Sequence, residues 1–325
     1  MLKNCTSMQS FVLSSYLYNV KTIQHLLLLA FLGCATAVCA GETYAVIISG
    51  GRSKMFNHER YWNDCAFLYR TLRQECHLSK DHITLLMADG DNPDNDMLRN
   101  GATGFVSSST DLDSDGEPDL TLSATRQNVE DAFCQLSEIV TANDNLFIFI
   151  TDHGECDTDG NIHLWLWGSE RLSPQKLATI INQCNPKTMN ILLGQCYAGA
   201  FVAPLQGEGR IITAACAADQ MSWACKEKAY DEFVYHWTCA IAQHDEQGQP
   251  VSSDTNGDGR VSMQEAFDYA VMHDQRPETP SLTAQPTSLT SQWTFGRLTD
   301  GINGPSDFRP PSDSDVIYDL QGKKY

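Results

Sequence analysis

The chain has 325 residues, 42% of them hydrophobic, which is enough for one large core with appended segments and excludes disorder throughout. A formal net charge of −19 leaves no broad basic face for phosphate, so no nucleic-acid partner is expected. Acidity of this size suits solubility, export or calcium sites.

Residues 1–40 read as a leader: Lys21 precedes the apolar run Leu26-Leu-Leu-Leu-Ala-Phe-Leu-Gly-Cys34, and Val38-Cys-Ala40 supplies small residues before a cut at Gly41. The run is shorter than the roughly 20 residues of a membrane span. The chain is therefore expected to be exported, whether secreted, periplasmic or at the cell surface. Phe31-Leu-Gly-Cys34 also has the look of a lipid-attachment box, and membrane or cell-surface anchoring ranks second. Of the 12 cysteines, Cys5, Cys34 and Cys39 fall in the leader, leaving nine. Eight plus one free thiol allow up to four disulfides in an oxidising compartment, and Cys216 with Cys225 is the pair to test first.

Beyond the leader, Tyr44-Ala-Val-Ile-Ile-Ser-Gly-Gly51 reads as a first strand. The apolar spacing over 62–72 predicts a helix, and Ile83-Thr-Leu-Leu-Met87 a second strand. The loop 111–122 places Asp111, Asp113, Asp115, Glu117 and Asp119 around Gly116, a calcium pattern that lacks the closing Glu because Leu122 stands there. A helix over 125–140 leads into Asn145-Leu-Phe-Ile-Phe-Ile-Thr-Asp-His153-Gly154. Ile162–Trp167 alternates as a hairpin strand does, and Ser173-Pro174 starts a helix as N-cap and first turn. Met189-Asn-Ile-Leu-Leu-Gly-Gln-Cys196-Tyr-Ala-Gly199 is the next strand, followed by one over 209–215. The strand and helix alternation predicts an α/β fold with a mostly parallel sheet.

Two of these strands end in reactive residues. If they lie side by side, His153 and Cys196 meet at the carboxyl edge of the sheet, where open α/β sheets bind ligands. A thiol beside an imidazole is the makings of a nucleophile with its general base. Downstream, Asp254-Thr-Asn-Gly-Asp-Gly-Arg-Val-Ser-Met-Gln-Glu265 reads as an EF-hand-like calcium loop between helical flanks. Its expected ligands are Asp254, Asn256, Asp258, the Arg260 carbonyl, Ser262 and a bidentate Glu265. From Pro277 the chain is rich in Pro, Ser and Thr, and 299–325 reads as a flexible tail.

Thr151-Asp-His-Gly154 and Gly194-Gln-Cys-Tyr-Ala-Gly199, with the first strand and Asn57-His-Glu-Arg-Tyr-Trp-Asn-Asp64, resemble the caspase-like cysteine peptidases, most closely the legumain or C13 branch and its bacterial relatives. The separation of 43 residues from His153 to Cys196 is similar to the caspase spacing. The resemblance implies a caspase-haemoglobinase-like three-layer sandwich over 41–298, with His153 and Cys196 as dyad and the backbone N–H groups of Gly154 and Cys196 facing the oxyanion. It also implies a substrate pocket drawn from Arg60, Trp223, Asp231 and Glu232. Gly194 departs from the branch, which carries a Glu two residues before the nucleophile.

Together these readings give an exported, calcium-stabilised cysteine endopeptidase acting on peptides or proteins, with no organic cofactor. The rivals are a transamidase or ligase using the same dyad, and a calcium-binding surface protein on a catalytically dead domain.

Overall fold

The computed structural model describes residues 41–99, 103–120 and 122–295. The expected leader, the tail over 299–325 and the last residues of the 41–298 span lie outside them. In chain order the elements are β1 (Thr43–Ser49), α1 (Glu59–Arg70), β2 (Ile83–Met87), the short β3 (Met97–Leu98) and β4 (Phe105–Val106), α2 (Arg126–Ile139) and β5 (Asn145–Thr151). There follow β6 (Gly154–Cys156), β7 (Ile162–Leu166), β8 (Glu170–Leu172), α3 (Pro174–Ile181), β9 (Thr188–Leu193), α4 (Gly199–Leu205) and β10 (Arg210–Ala214). The described part ends with α5 (Glu232–Ala242), α6 (Met263–His273), β11 (Ser281–Gln285) and α7 (Leu289–Gln292).

The main sheet runs β11-β10-β9-β5-β1-β2, parallel throughout except where β11 joins β10. Its inner strands β1, β5 and β9 are mostly apolar and buried because both faces are covered. Along β5, Leu146, Ile148 and Ile150 enter one core with Val129 and Phe133 of α2, Leu177 of α3 and Phe201 of α4. The alternate residues, Phe147 and Phe149, enter the other core with Leu68 of α1, Phe233 and Trp237 of α5 and Met263 of α6. Trp237 stacks on Phe147 at 5.8 Å with the rings 4° from parallel. Fully burying each such side chain contributes roughly 1.5–3 kcal/mol. Helices on both faces of a mostly parallel sheet make the three-layer α/β sandwich expected of the chain.

Local signals place the helices. Ser173 caps α3 by accepting from the Lys176 N–H, with Pro174 in the first turn, and Thr125 caps α2 through Asn128. Strand β11 has no counterpart in the sequence reading, because five mixed residues on a sheet edge carry neither an apolar run nor a clean alternation.

The disulfide expectation is not met: all nine cysteines from Cys65 to Cys239 are free thiols. Five of them are buried and pack as small apolar groups. Cys216 Sγ points at the Gln195 and Gln220 carbonyls instead of at Cys225. No helix among the described residues is long and apolar enough to cross a membrane.

Candidate active site

From β1 the chain crosses to β2 on one side and then to β5 on the other, so the strand order reverses at β1 and β5. The carboxyl end of the sheet at such a reversal is the usual ligand position. Asp152, 2% exposed, ties the two loops together. Its Oδ2 accepts from the Gly51 N–H at 2.7 Å and the Ser49 hydroxyl at 3.2 Å, while Oδ1 accepts from the His153 N–H at 2.7 Å. These three bonds hold Asp152 at φ 93°, a left-handed conformation that costs a non-glycine residue on the order of 1–3 kcal/mol. Burial pushes its carboxyl up to about 7.

His153 follows at once. Its Nε2 lies 3.0 Å from the Phe56 carbonyl oxygen. A carbonyl only accepts, so Nε2 carries the hydrogen and Nδ1 is left as the base. Tyr61 underlies the ring, its hydroxyl 3.4 Å from Nδ1 and the two rings edge to face at 5.2 Å. Burial holds the imidazole below its ordinary range.

Cys196 stands at the matching place on the next strand. In the β5–β9 register Ile150 pairs with Leu193, and each reactive residue lies three positions further on. The chain turns sharply after it: Tyr197 has φ 59°, its N–H donates to Gln220 at 2.8 Å, and Cys196 Sγ faces the Ser222 carbonyl at 3.6 Å. Burial pushes the thiol up. Thiol and imidazole therefore both rest neutral near pH 7.

Gly154 closes the site. A Cβ there would sit 2.0 Å from the Cys196 carbonyl oxygen, so the glycine is required by the close passage of the Cys196 backbone. The Trp165 N–H donates to the His153 carbonyl, and the antiparallel ladder alternates, which directs the Gly154 N–H away from β7.

The pocket residues expected from the sequence divide. Arg60 Nε donates to Asp231 Oδ1 at 2.8 Å, its guanidinium lies 4.1 Å over the Tyr61 ring, and the pair borders both His153 and Cys196 electrostatically. Asp64, which the sequence reading missed, accepts from the Asp231 N–H, and burial next to Asp231 pushes its carboxyl well up. Trp223 stands at the rim, 37% exposed, its N–H donating to Glu278. Glu232 does not belong with them. Its carboxylate accepts from the Gln275 N–H and lies 3.8 Å from His236 and 4.0 Å from Arg276. At Gly194 a Cβ would meet Val234 at 2.6 Å and Thr151 at 3.2 Å, so these two neighbours fill the room a glutamate needs.

Comparison with family models matches residues 43–270 to the Peptidase C13 family. The chain belongs to the peptidase C13 family. Both reactive residues, the Gly154 approach and the Arg60–Asp231 pair lie inside the matched span. The family is one of cysteine peptidases and transamidases, so the substrates of its members are peptides or proteins. No curated protein matches the chain.

The two acidic loops of this C13 chain differ in geometry. Asp111, Asp113 and Asp115 bring one carboxylate oxygen each within 4.8 Å of one another, an arrangement that fits a cation. Asp119 does not join them: Lys80 at 2.7 Å, the Tyr69 hydroxyl and the Leu112 N–H take its oxygens. Glu117 is exposed and contributes its N–H to Asp115. In the 254–265 loop, Asp254 accepts from the Gly257 and Gly259 N–H groups, Asn256 from Asp258, and Asp258 from Arg260. Glu265 departs from the ligand role expected of it. One oxygen accepts from the Thr255 and Asn256 N–H groups and the other from the N–H and hydroxyl of Ser262, which completes a capping box at the start of α6.

Proposed function

We propose that the chain is a cysteine endopeptidase in which Cys196 is the nucleophile and His153 the general base and acid. The equal register offset of the two residues beyond neighbouring parallel strands carries this reading. As Cys196 Sγ bonds to the scissile carbonyl carbon, its proton passes to His153 Nδ1. The carbonyl oxygen gains the negative charge and lies towards the N–H groups of Gly154 and Cys196. His153 returns the proton to the amine, the C–N bond breaks and an acyl-thioester remains. Water, losing a proton to His153, then releases the acid and restores the thiol.

In the Arg60–Asp231 pair each charge already has its partner, which favours a neutral side chain able both to donate and to accept over a Lys or Arg before the cut. Trp223 supplies the rim. Calcium at Asp111, Asp113 and Asp115, and in the 254–265 loop through Asp254, Asn256, Asp258 and the Arg260 carbonyl, would stabilise the fold without entering the chemistry. Export rests on the leader pattern of residues 1–40.

The test is a panel of fluorogenic peptides with Asn, Asp, Arg or Lys before the cut, assayed beside Cys196→Ala. Cleavage that vanishes in the variant, strongest for Asn, is expected. Cleavage that survives in a folded Cys196→Ala chain overturns the assignment.

A further inference from the structure

We propose that Asp96 is a positioning residue for His153, acting through Asn57 and the Phe56 carbonyl. The proposal rests on the dyad reading above. The loop that carries the Phe56 carbonyl has little to hold it by side-chain packing. Met55 is 59% and Phe56 38% exposed, and the Phe56 ring is touched by the Arg52 guanidinium, 4.3 Å from its centroid, and by the His153 ring, edge to face at 5.8 Å. The next residue is different. Asn57 is 4% exposed, and its Nδ2 donates to Asp96 Oδ2 at 2.8 Å and to the Asp96 carbonyl at 3.3 Å. Its own carbonyl accepts from the Leu98 N–H at 2.7 Å. Its N–H donates to the Ser53 carbonyl at 3.0 Å, so the peptide that presents the Phe56 oxygen to His153 leads into a residue anchored by both backbone and side chain.

Asp96 in turn is fixed. It is 2% exposed, Oδ1 accepts from the Ser108 N–H at 2.8 Å, Oδ2 from the Ser108 hydroxyl at 2.8 Å, and its N–H donates to the Val106 carbonyl. A buried carboxylate with three such donors is an anchor whose oxygens have fixed directions. The chain of contacts from Ser108 to Asp96, Asn57, the Phe56 carbonyl and Nε2 of His153 sets which ring nitrogen is free to act as base. Loss of one link lets the carbonyl drift and the ring turn, and small misplacements of a base cost rate rather than binding.

The experiment exchanges the two partners in the full chain. Asp96→Asn sets two amides against each other beside the Asp89 carboxyl, and Asn57→Asp adds a third carboxyl to the neighbouring Asp96 and Asp89. The double variant restores a carboxylate and amide pair with its polarity reversed, leaving Oδ1 of residue 96 for the Ser108 N–H. For the best peptide of the panel, each single variant is expected to lower kcat between about ten- and a hundredfold with KM unchanged. The double variant is expected to recover part of the lost kcat, short of the native value because the Asn57 bond to the Asp96 carbonyl is not restored. Native kcat in either folded single variant, or a folded double variant that recovers nothing, overturns the proposal. If the single variants do not fold, Ser108→Ala, which removes only the hydroxyl bond to Asp96, decides: a several-fold fall in kcat at constant KM supports the role, and unchanged kcat overturns it. Alkylation of Cys196 by iodoacetamide separates this from the dyad reading. If native Cys196 reacts no faster than in His153→Ala, the dyad itself fails; if it reacts faster and Asp96→Asn matches the native rate, only the Asp96 proposal fails.

Discussion

Gly154→Ala is the smallest change that reaches the centre of the site, since it adds one carbon. That carbon would stand 2.0 Å from the Cys196 carbonyl oxygen and 2.9 Å from its carbonyl carbon. The first distance is roughly 1.5 Å inside the ~3.5 Å of ordinary contact, and both atoms are backbone, so no side-chain rotation relieves it. Either β6 or the turn after β9 must retreat by about 1 Å, which moves the Gly154 N–H, the His153 ring or Cys196. Overpacking of this kind costs about 1–3 kcal/mol of stability. A displacement of about 1 Å in a catalytic array costs on the order of a hundredfold in rate. Thermal melting should therefore show a folded but weakened protein, and kcat/KM on the best panel peptide should fall by about two powers of ten with alkylation of Cys196 slowed. A Gly154→Ala chain with native melting and native kcat/KM would refute the close approach and the oxyanion geometry built on it.

The other predictions concern charge and metal. Because burial lowers the His153 pKa, the neutral imidazole persists below pH 6.5, so the acid limb of kcat/KM should fall through a midpoint under that value; a midpoint at or above it contradicts the buried base. Arg60→Ala leaves Asp231, whose side chain is 7% exposed, without its cation, and should cost about 3 kcal/mol in denaturant unfolding, with Arg60→Ala/Asp231→Ala less affected than the single change. An equal loss in both chains removes the coupling. Glu265→Gln should destabilise by about 1 kcal/mol in chelator as well as in calcium, since its carboxylate closes the loop and caps α6 by itself. Asp113→Asn should instead reduce only the calcium-dependent part of the melting temperature, leaving what the 254–265 loop contributes; a calcium-dependent loss in Glu265→Gln would return Glu265 to the ligand role.

The placement of His153 and Cys196 was legible because both stand just beyond patterned strands. The runs before His153 and Cys196 are short and mostly apolar, and they form β5 and β9 side by side. What escaped sequence reading is carried by the backbone or by distance along the chain. The Phe56 carbonyl has no side-chain signature. Asp64 and Asp96 are ordinary carboxylates until the fold buries them beside Asp231 and Asn57. Ligand counting placed Asp119 and Glu265 on metals because position in a loop says nothing of competing donors such as Lys80 and Ser262. Glu232 was grouped with Asp231 as its neighbour in sequence, yet the start of a helix sends adjacent side chains in different directions. The nine cysteines from Cys65 to Cys239 offered eight for disulfides beside one free thiol, but number carries no geometry, and five of them lie in the cores.

The central claim is that one thiol of nine is set apart by its imidazole. The most direct measurement is mass mapping of the folded chain after brief reaction with one equivalent of a peptidyl ketone electrophile. The account predicts label on Cys196 alone, lost in His153→Ala while that variant stays folded. Label spread over the exposed Cys134 and Cys156 at equal rates, or Cys196 labelling that persists in His153→Ala, would contradict it.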